Sequence, residues 1–175
     1  SGLDRLLRHC NGNLLVLNEL NRIAELTGDR QVRLACNSRK LSEVTSDVHD
    51  RSRPLTGALF DTVVDAFHML LVRDGLADER LLDIDLRQLG AASLDDISGY
   101  TTRSFRERPF LFKSALIQAR DQVALTLART WRSISADEFE FTIFAEAALA
   151  AAEKIDPALG GKLAENMAWR DIILT

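Results

Sequence analysis

The chain is short of most features that would assign it to a specialised class. Its two cysteines, Cys10 and Cys36, are too few and too far apart for a disulfide framework or a C-x-x-C metal site, so a reducing, cytoplasmic compartment is expected. Three prolines and nine glycines leave no room for a low-complexity linker. Every long apolar stretch is interrupted by Asp, Arg or Glu before reaching the roughly 18 residues of a membrane span, so no membrane partner is expected. Basic residues do not dominate: 22 Lys and Arg stand against 26 Asp and Glu, a formal charge of -4. That balance argues against a nucleic-acid partner, and no basic recognition helix suggests a helix-turn-helix protein. No convincing strand pair and no internal repeat stand out. An initiating Met is also missing; the chain opens Ser-Gly, which reads as the remnant of a cleaved tag on a piece of a longer protein.

What is present is helical periodicity. With 175 residues, 46% of them hydrophobic and 27% charged, the composition is that of a soluble globular protein, and one helical domain over residues 1–175 is expected. Leu14, Leu17, Leu20 and Ile23 predict a helix over Asn13–Thr27, capped by Asn11 or Asn13 and stopped by Gly28. Asp29–Thr45 shows no clear period and fits a short helix or a loop. The charged stretch Ser46–Arg53 reads as a loop, with Pro54 in the first turn of an apolar helix carrying Leu55, Leu59, Val63, Phe67 and Leu70 and ending at Asp74-Gly75. Asp78–Leu89 predicts a shorter helix closed by Gly90, and Ala91–Thr102 reads as turns around one helical turn. Leu116, Ala119, Val123, Leu127 and Trp131 predict the longest helix over Pro109–Ser133. Ser135 and Glu138 form a capping-box pattern before an alanine-rich helix over Phe139–Lys154, Asp156-Pro157 breaks it, and Leu159–Ile172 supplies a last helix. The expected class is all-α, a multi-helix bundle.

The candidate chemistry lies in the polar stretch before Pro54, where His49 is surrounded by Asp47, Asp50, Arg51, Ser52 and Arg53 and tied to a buried helix. His68, between Phe67 and Met69, reads as a packed histidine, and His9 carries no functional weight. No H-x-x-x-H pair is present. Asp61 and Asp65 stand four apart, a spacing that fits a solvated helix face. Arg103, Arg106 and Arg108 offer positive charge without a glycine-rich cradle, and Phe105–Phe112, Trp131 and Trp169 read as packing residues.

Asp47-Val48-His49-Asp50-Arg51-Ser52, followed by Gly57-Ala58-Leu59-Phe60-Asp61, resembles the segment around the second catalytic histidine of thermolysin-like zinc metallopeptidases, the gluzincins. The succession of an apolar helix ending at Trp131-Arg132-Ser133, a polar loop and an alanine-rich helix is similar to the last helix pair of their C-terminal domain. The resemblance covers that helical half alone; the H-E-x-x-H helix and the glutamate ligand are not in these residues. It implies a full-length zinc metallopeptidase with the metal held outside this chain, no cofactor here, a peptide substrate, and the N-terminal catalytic half of the same protein as partner. It further implies that His49 stabilises the transition-state oxyanion, that Asp47 or Asp50 orients the imidazole, and that Arg33, ranked above Arg39, accompanies it. Alone, the chain is expected to be inactive and to form a homodimer through apolar side chains near Val48 and Leu55. The alternative that the residues support equally is a non-enzymatic helical module that binds a partner protein.

Overall fold

A computed structural model describes residues 24–27, 30–34, 37–83, 95–135, 137 and 139–173. Five α-helices make up most of it: α1 (Val48–Arg73), α2 (Asp95–Glu107), α3 (Pro109–Ser133), α4 (Phe141–Glu153) and α5 (Pro157–Trp169). The helical class expected from periodicity therefore stands. Ahead of them lies one antiparallel hairpin, β1 (Ala24–Thr27) with β2 (Arg30–Leu34), paired Ala24 to Leu34 and Thr27 to Arg30 with an irregularity after Glu25. Its strands replace the end of the helix expected over Asn13–Thr27, whose residues 13–23 lie outside the described ones. In the sequence, Gly28-Asp29 is the kind of Gly-led pair that suits a two-residue hairpin as well as a helix stop.

α1 begins six residues before the expected start, at Val48 rather than at Pro54. The reason is a cap: the Asp47 side chain accepts the N–H groups of His49 and Asp50, satisfying two donors that a helix start leaves open. Pro54 then sits inside the helix, buried, where it cannot donate to the carbonyl one turn back. α1 meets the length and composition of a membrane-crossing helix even though Asp61 and Asp65 interrupt it, and half of its most apolar window is buried inside this protein.

That burial comes from packing. α1 packs on α3 and on α5, α5 packs on α4, and α4 returns to α3, so four helices close around one core. Phe67 and Leu71 of α1, Phe112 and Leu116 of α3, Phe144 of α4, and Leu163 and Met167 of α5 fill it. Ala58, Ala66, Ala115, Ala119, Ala145, Ala148 and Ala152 are buried between them and keep the axes close. Buried Thr62, Thr126 and Thr130 return their hydroxyls to the carbonyls four residues back at 2.8–2.9 Å, which leaves no unpaired polar atom on those side chains.

α2 corrects the expected turns over Ala91–Thr102. Among the side chains described from residue 99 on, the buried ones are Thr101, Ser104 and Phe105, two of the three polar, which apolar periodicity does not reveal. Tyr100 and Arg108 both donate to the Gly75 carbonyl, at 3.0 and 3.1 Å, and fasten this helix to the end of α1. Of the helix expected over Asp78–Leu89, Glu79–Asp83 forms a 3-10 turn and residues 84–89 lie outside the described residues. Glu138 of the expected capping box also lies outside them; α4 starts at Phe141 with Glu140 at its N-cap and no side-chain cap. Asp156 does cap α5, accepting the Ala158 N–H at 2.9 Å ahead of Pro157.

Candidate functional site

The first turn of α1 and the end of α3 face each other across an open groove of about 960 Å³. Val48, Arg51, Ser52, Leu55, Thr56 and Leu59 form its α1 wall, on the three- and four-residue steps that line one helix face. Leu127 and Trp131 of α3 form the opposite wall, together with Phe139, Phe141 and Phe144 around the start of α4. Leu41 and Ile172 complete the lining from the segments before α1 and after α5.

The aromatic wall is a stack. The Trp131 ring lies 5.7 Å from Phe139 at 20° and 5.2 Å from Phe144, and Phe139 meets Phe141 edge-on at 5.9 Å. Trp131 is 54% exposed and Phe139 40%, values far from those of core aromatics such as Phe112. Trp131 is thus a wall residue and not the packing residue expected from the sequence. The available signal was four aromatics within fourteen residues, on both sides of a polar loop. Trp169 lies between cations, its ring 5.2 Å from both the Lys40 ammonium and the Arg170 guanidinium.

The residues expected to carry chemistry divide. His49 is exposed in the first turn of α1, and its backbone N–H donates to Asp47 Oδ1 at 2.9 Å. Asp50 Oδ2 accepts from the Thr45 N–H and hydroxyl at 2.9 and 3.1 Å, while its other oxygen lies 3.5 Å from Arg53. The Thr45 N–H, helped by that hydroxyl and by Arg53, holds the Asp50 carboxyl below its ordinary range. Both carboxylates thus serve backbone and neighbours, and among the described residues neither is bonded to the His49 imidazole. Arg33 belongs to β2, in register opposite Glu25, and Arg39 to the segment leading to α1. Among the described residues, no three His, Cys, Asp or Glu side chains converge where one ion could be held.

The structure corrects one polar reading taken from spacing. Asp61 and Asp65 do not form a solvated face: Asp61 accepts Arg170 Nη2 at 2.7 Å and Asp65 accepts Asn166 Nδ2 at 2.7 Å, both from α5 or its end. Arg170 is 1% exposed, and its Nη1 and Nη2 also reach Asn37 Oδ1, the Asn37 carbonyl and the Arg39 carbonyl, while its buried Nε has no partner among the described residues. Gly57 leaves the space for it, since a β-carbon there would collide with the guanidinium. Nothing in the local pattern of Trp169-Arg170-Asp171 announces a buried cation.

Compared with known proteins, no family model, no curated protein and no solved structure gives a significant match to the chain.

His68 is 3% exposed in the core, as its apolar neighbours suggested, and its Nε2 has no partner among the described residues. Burial disfavours the imidazolium and pulls its pKa down from 6.5 to about 4. The unfolded chain therefore takes up this proton first: the stabilisation is complete above pH 6.5 and is lost as the pH falls toward 4. Urea unfolding of the wild type is expected to lose about 2 kcal/mol between pH 7 and pH 5, and His68→Leu to remove most of that slope. Parallel slopes would show that the imidazole is hydrated or paired.

Proposed function

We propose that this chain is a non-enzymatic helical interaction module whose aromatic groove receives an apolar helical segment of a partner protein. The observation that carries this reading is the exposed stack of Trp131 and Phe139 facing Val48 and Leu55 across the groove. Large apolar side chains gathered in one concave surface cost free energy in water, and anchors on an incoming segment relieve it at roughly 25 cal/mol per Å² covered. The groove also has the length of such a segment. Val48 to Leu59 spans three turns of α1, about 16 Å, which matches a helix laid beside it with anchors at i, i+3 or i+4, and i+7. Selection from a displayed library of helical peptides is expected to enrich sequences with that spacing, and Trp131→Ala to weaken them at least about tenfold, as loss of an aromatic hot spot does. Enriched peptides that bind Trp131→Ala as well as the wild type would place the binding surface elsewhere.

A second reading keeps the metallopeptidase resemblance, and one observation favours it: the imidazole of His49 is exposed and has no partner among the described residues, so it is available to a substrate. On that reading the chain is the C-terminal half of a zinc-dependent hydrolase, and the His49 N–H faces the oxyanion that forms when water adds to a peptide carbonyl. Such a donor acts mainly in the transition state. In the full-length protein His49→Ala is then expected to lower kcat by roughly 10²–10³-fold with KM and zinc content little changed. Unchanged kcat would remove His49 from the chemistry, and parallel loss of zinc would make it a ligand.

A further inference from the structure

The groove is apolar along most of its length and carries charge at three places: Arg51, Glu140 and Asp171. Asp171 is already engaged, accepting the Ser42 hydroxyl at 2.6 Å and lying 4.0 Å from the Lys40 ammonium. Among the described residues, Arg51 is the only cation in the lining, and it makes no ion pair with any of them. Its guanidinium lies 5.7 Å from the centre of the Phe141 ring, on the edge of the aromatic wall. An aromatic face holds a guanidinium in place while leaving its hydrogen-bond donors free. The same end of the groove is the N-terminus of α1, whose first N–H groups already meet the Asp47 carboxylate. Among the described residues, the charge that lacks its complement is the Arg51 guanidinium.

We infer that Arg51 is the specificity-determining residue of the groove, selecting a partner helix that carries a carboxylate beside its apolar anchors, at the end that lies against the first turn of α1. The inference rests on the groove reading above and adds the charge and the polarity of the occupant. An Asp or Glu there gains a charge-assisted, bidentate contact on the rim of an apolar site, where water competes less than on an open surface. A basic residue at that position meets the Arg51 guanidinium and is rejected. Glu140, an exposed anion in the same lining, works against the preference; removing its charge is expected to sharpen it.

The test is to select displayed helical peptides in parallel against the wild type and against Arg51→Glu. The wild type is expected to enrich Asp or Glu at one end of the apolar spacing. The variant is expected to keep the same apolar anchors and enrich Lys or Arg at that end. A wild-type peptide with its acid changed to the amide should bind about tenfold more weakly to the wild type and equally to Arg51→Gln. Identical peptide sets from wild type and Arg51→Glu would overturn the role of Arg51 while leaving the groove as the binding surface. Enrichment of acids without any apolar spacing would overturn both. Arg51 is exposed, so these variants fold as the wild type does, and circular dichroism with an unchanged thermal midpoint checks that directly.

Discussion

A buried guanidinium joins the parts of this protein that sequence order keeps far apart. Arg170, just past the end of α5, reaches Asp61 in the middle of α1 and the Asn37 and Arg39 carbonyls in the segment that precedes α1. Withdrawing a full charge from water is costly, and the cost is offset only where a counter-ion and well-placed acceptors meet it together. Here the counter-ion is Asp61 at 2.7 Å, and the acceptors are backbone and amide oxygens of residues 37–39. Gly57 is part of the same device, because any side chain there would occupy the guanidinium's space.

The groove depends on that device. Leu41 donates its N–H to the Arg170 carbonyl at 2.8 Å, so the segment carrying Leu41 is held from both sides of the same residue. Ile172 follows two positions later, folded back by the left-handed backbone at Asp171 and by its N–H to the Met167 carbonyl at 3.0 Å. The part of the lining that Leu41 and Ile172 supply is therefore set by an ion pair in the core. The aromatic wall is set by stacking at the end of α3, with Phe144 as the one ring of the stack that reaches fully into the core. An exposed surface built on two rigid supports loses little entropy when a partner covers it.

How much of this was readable in the sequence follows from where each signal lies. α3 is legible to the residue, because Pro109 marks its start and its apolar positions keep a regular period over the whole length. The break at Asp156-Pro157 is legible for the same reason: cap and proline are adjacent in the chain. α2 is not, since two of its described buried side chains are Thr101 and Ser104, whose polarity hides their burial. The start of α1 was misplaced because Pro54 outweighed Asp47, although the capping carboxylate is the stronger constraint once two N–H groups bind it. The Asp61–Arg170 pair joins residues 109 positions apart, and nothing local distinguishes either from a surface charge. The groove fails to show for a related reason. Trp131 has the helical spacing of a core residue, and only the position of Phe139 across the turn exposes its face.

Amide hydrogen exchange of the full chain, wild type against Asp61→Asn, tests most directly whether this ion pair holds that part of the groove lining. The substitution keeps shape and removes the counter-charge, leaving Arg170 buried with an uncompensated cation at a cost on the order of 3 kcal/mol. The segments 37–41 and 170–173 are then expected to exchange at least about tenfold faster, while the amides of α3 and α4 keep their protection, because local opening follows the weakened tether and not the whole core. Unchanged protection of the Leu41 amide, or an equal loss throughout all the helices, would contradict the claim that Arg170 and Asp61 fix this part of the lining.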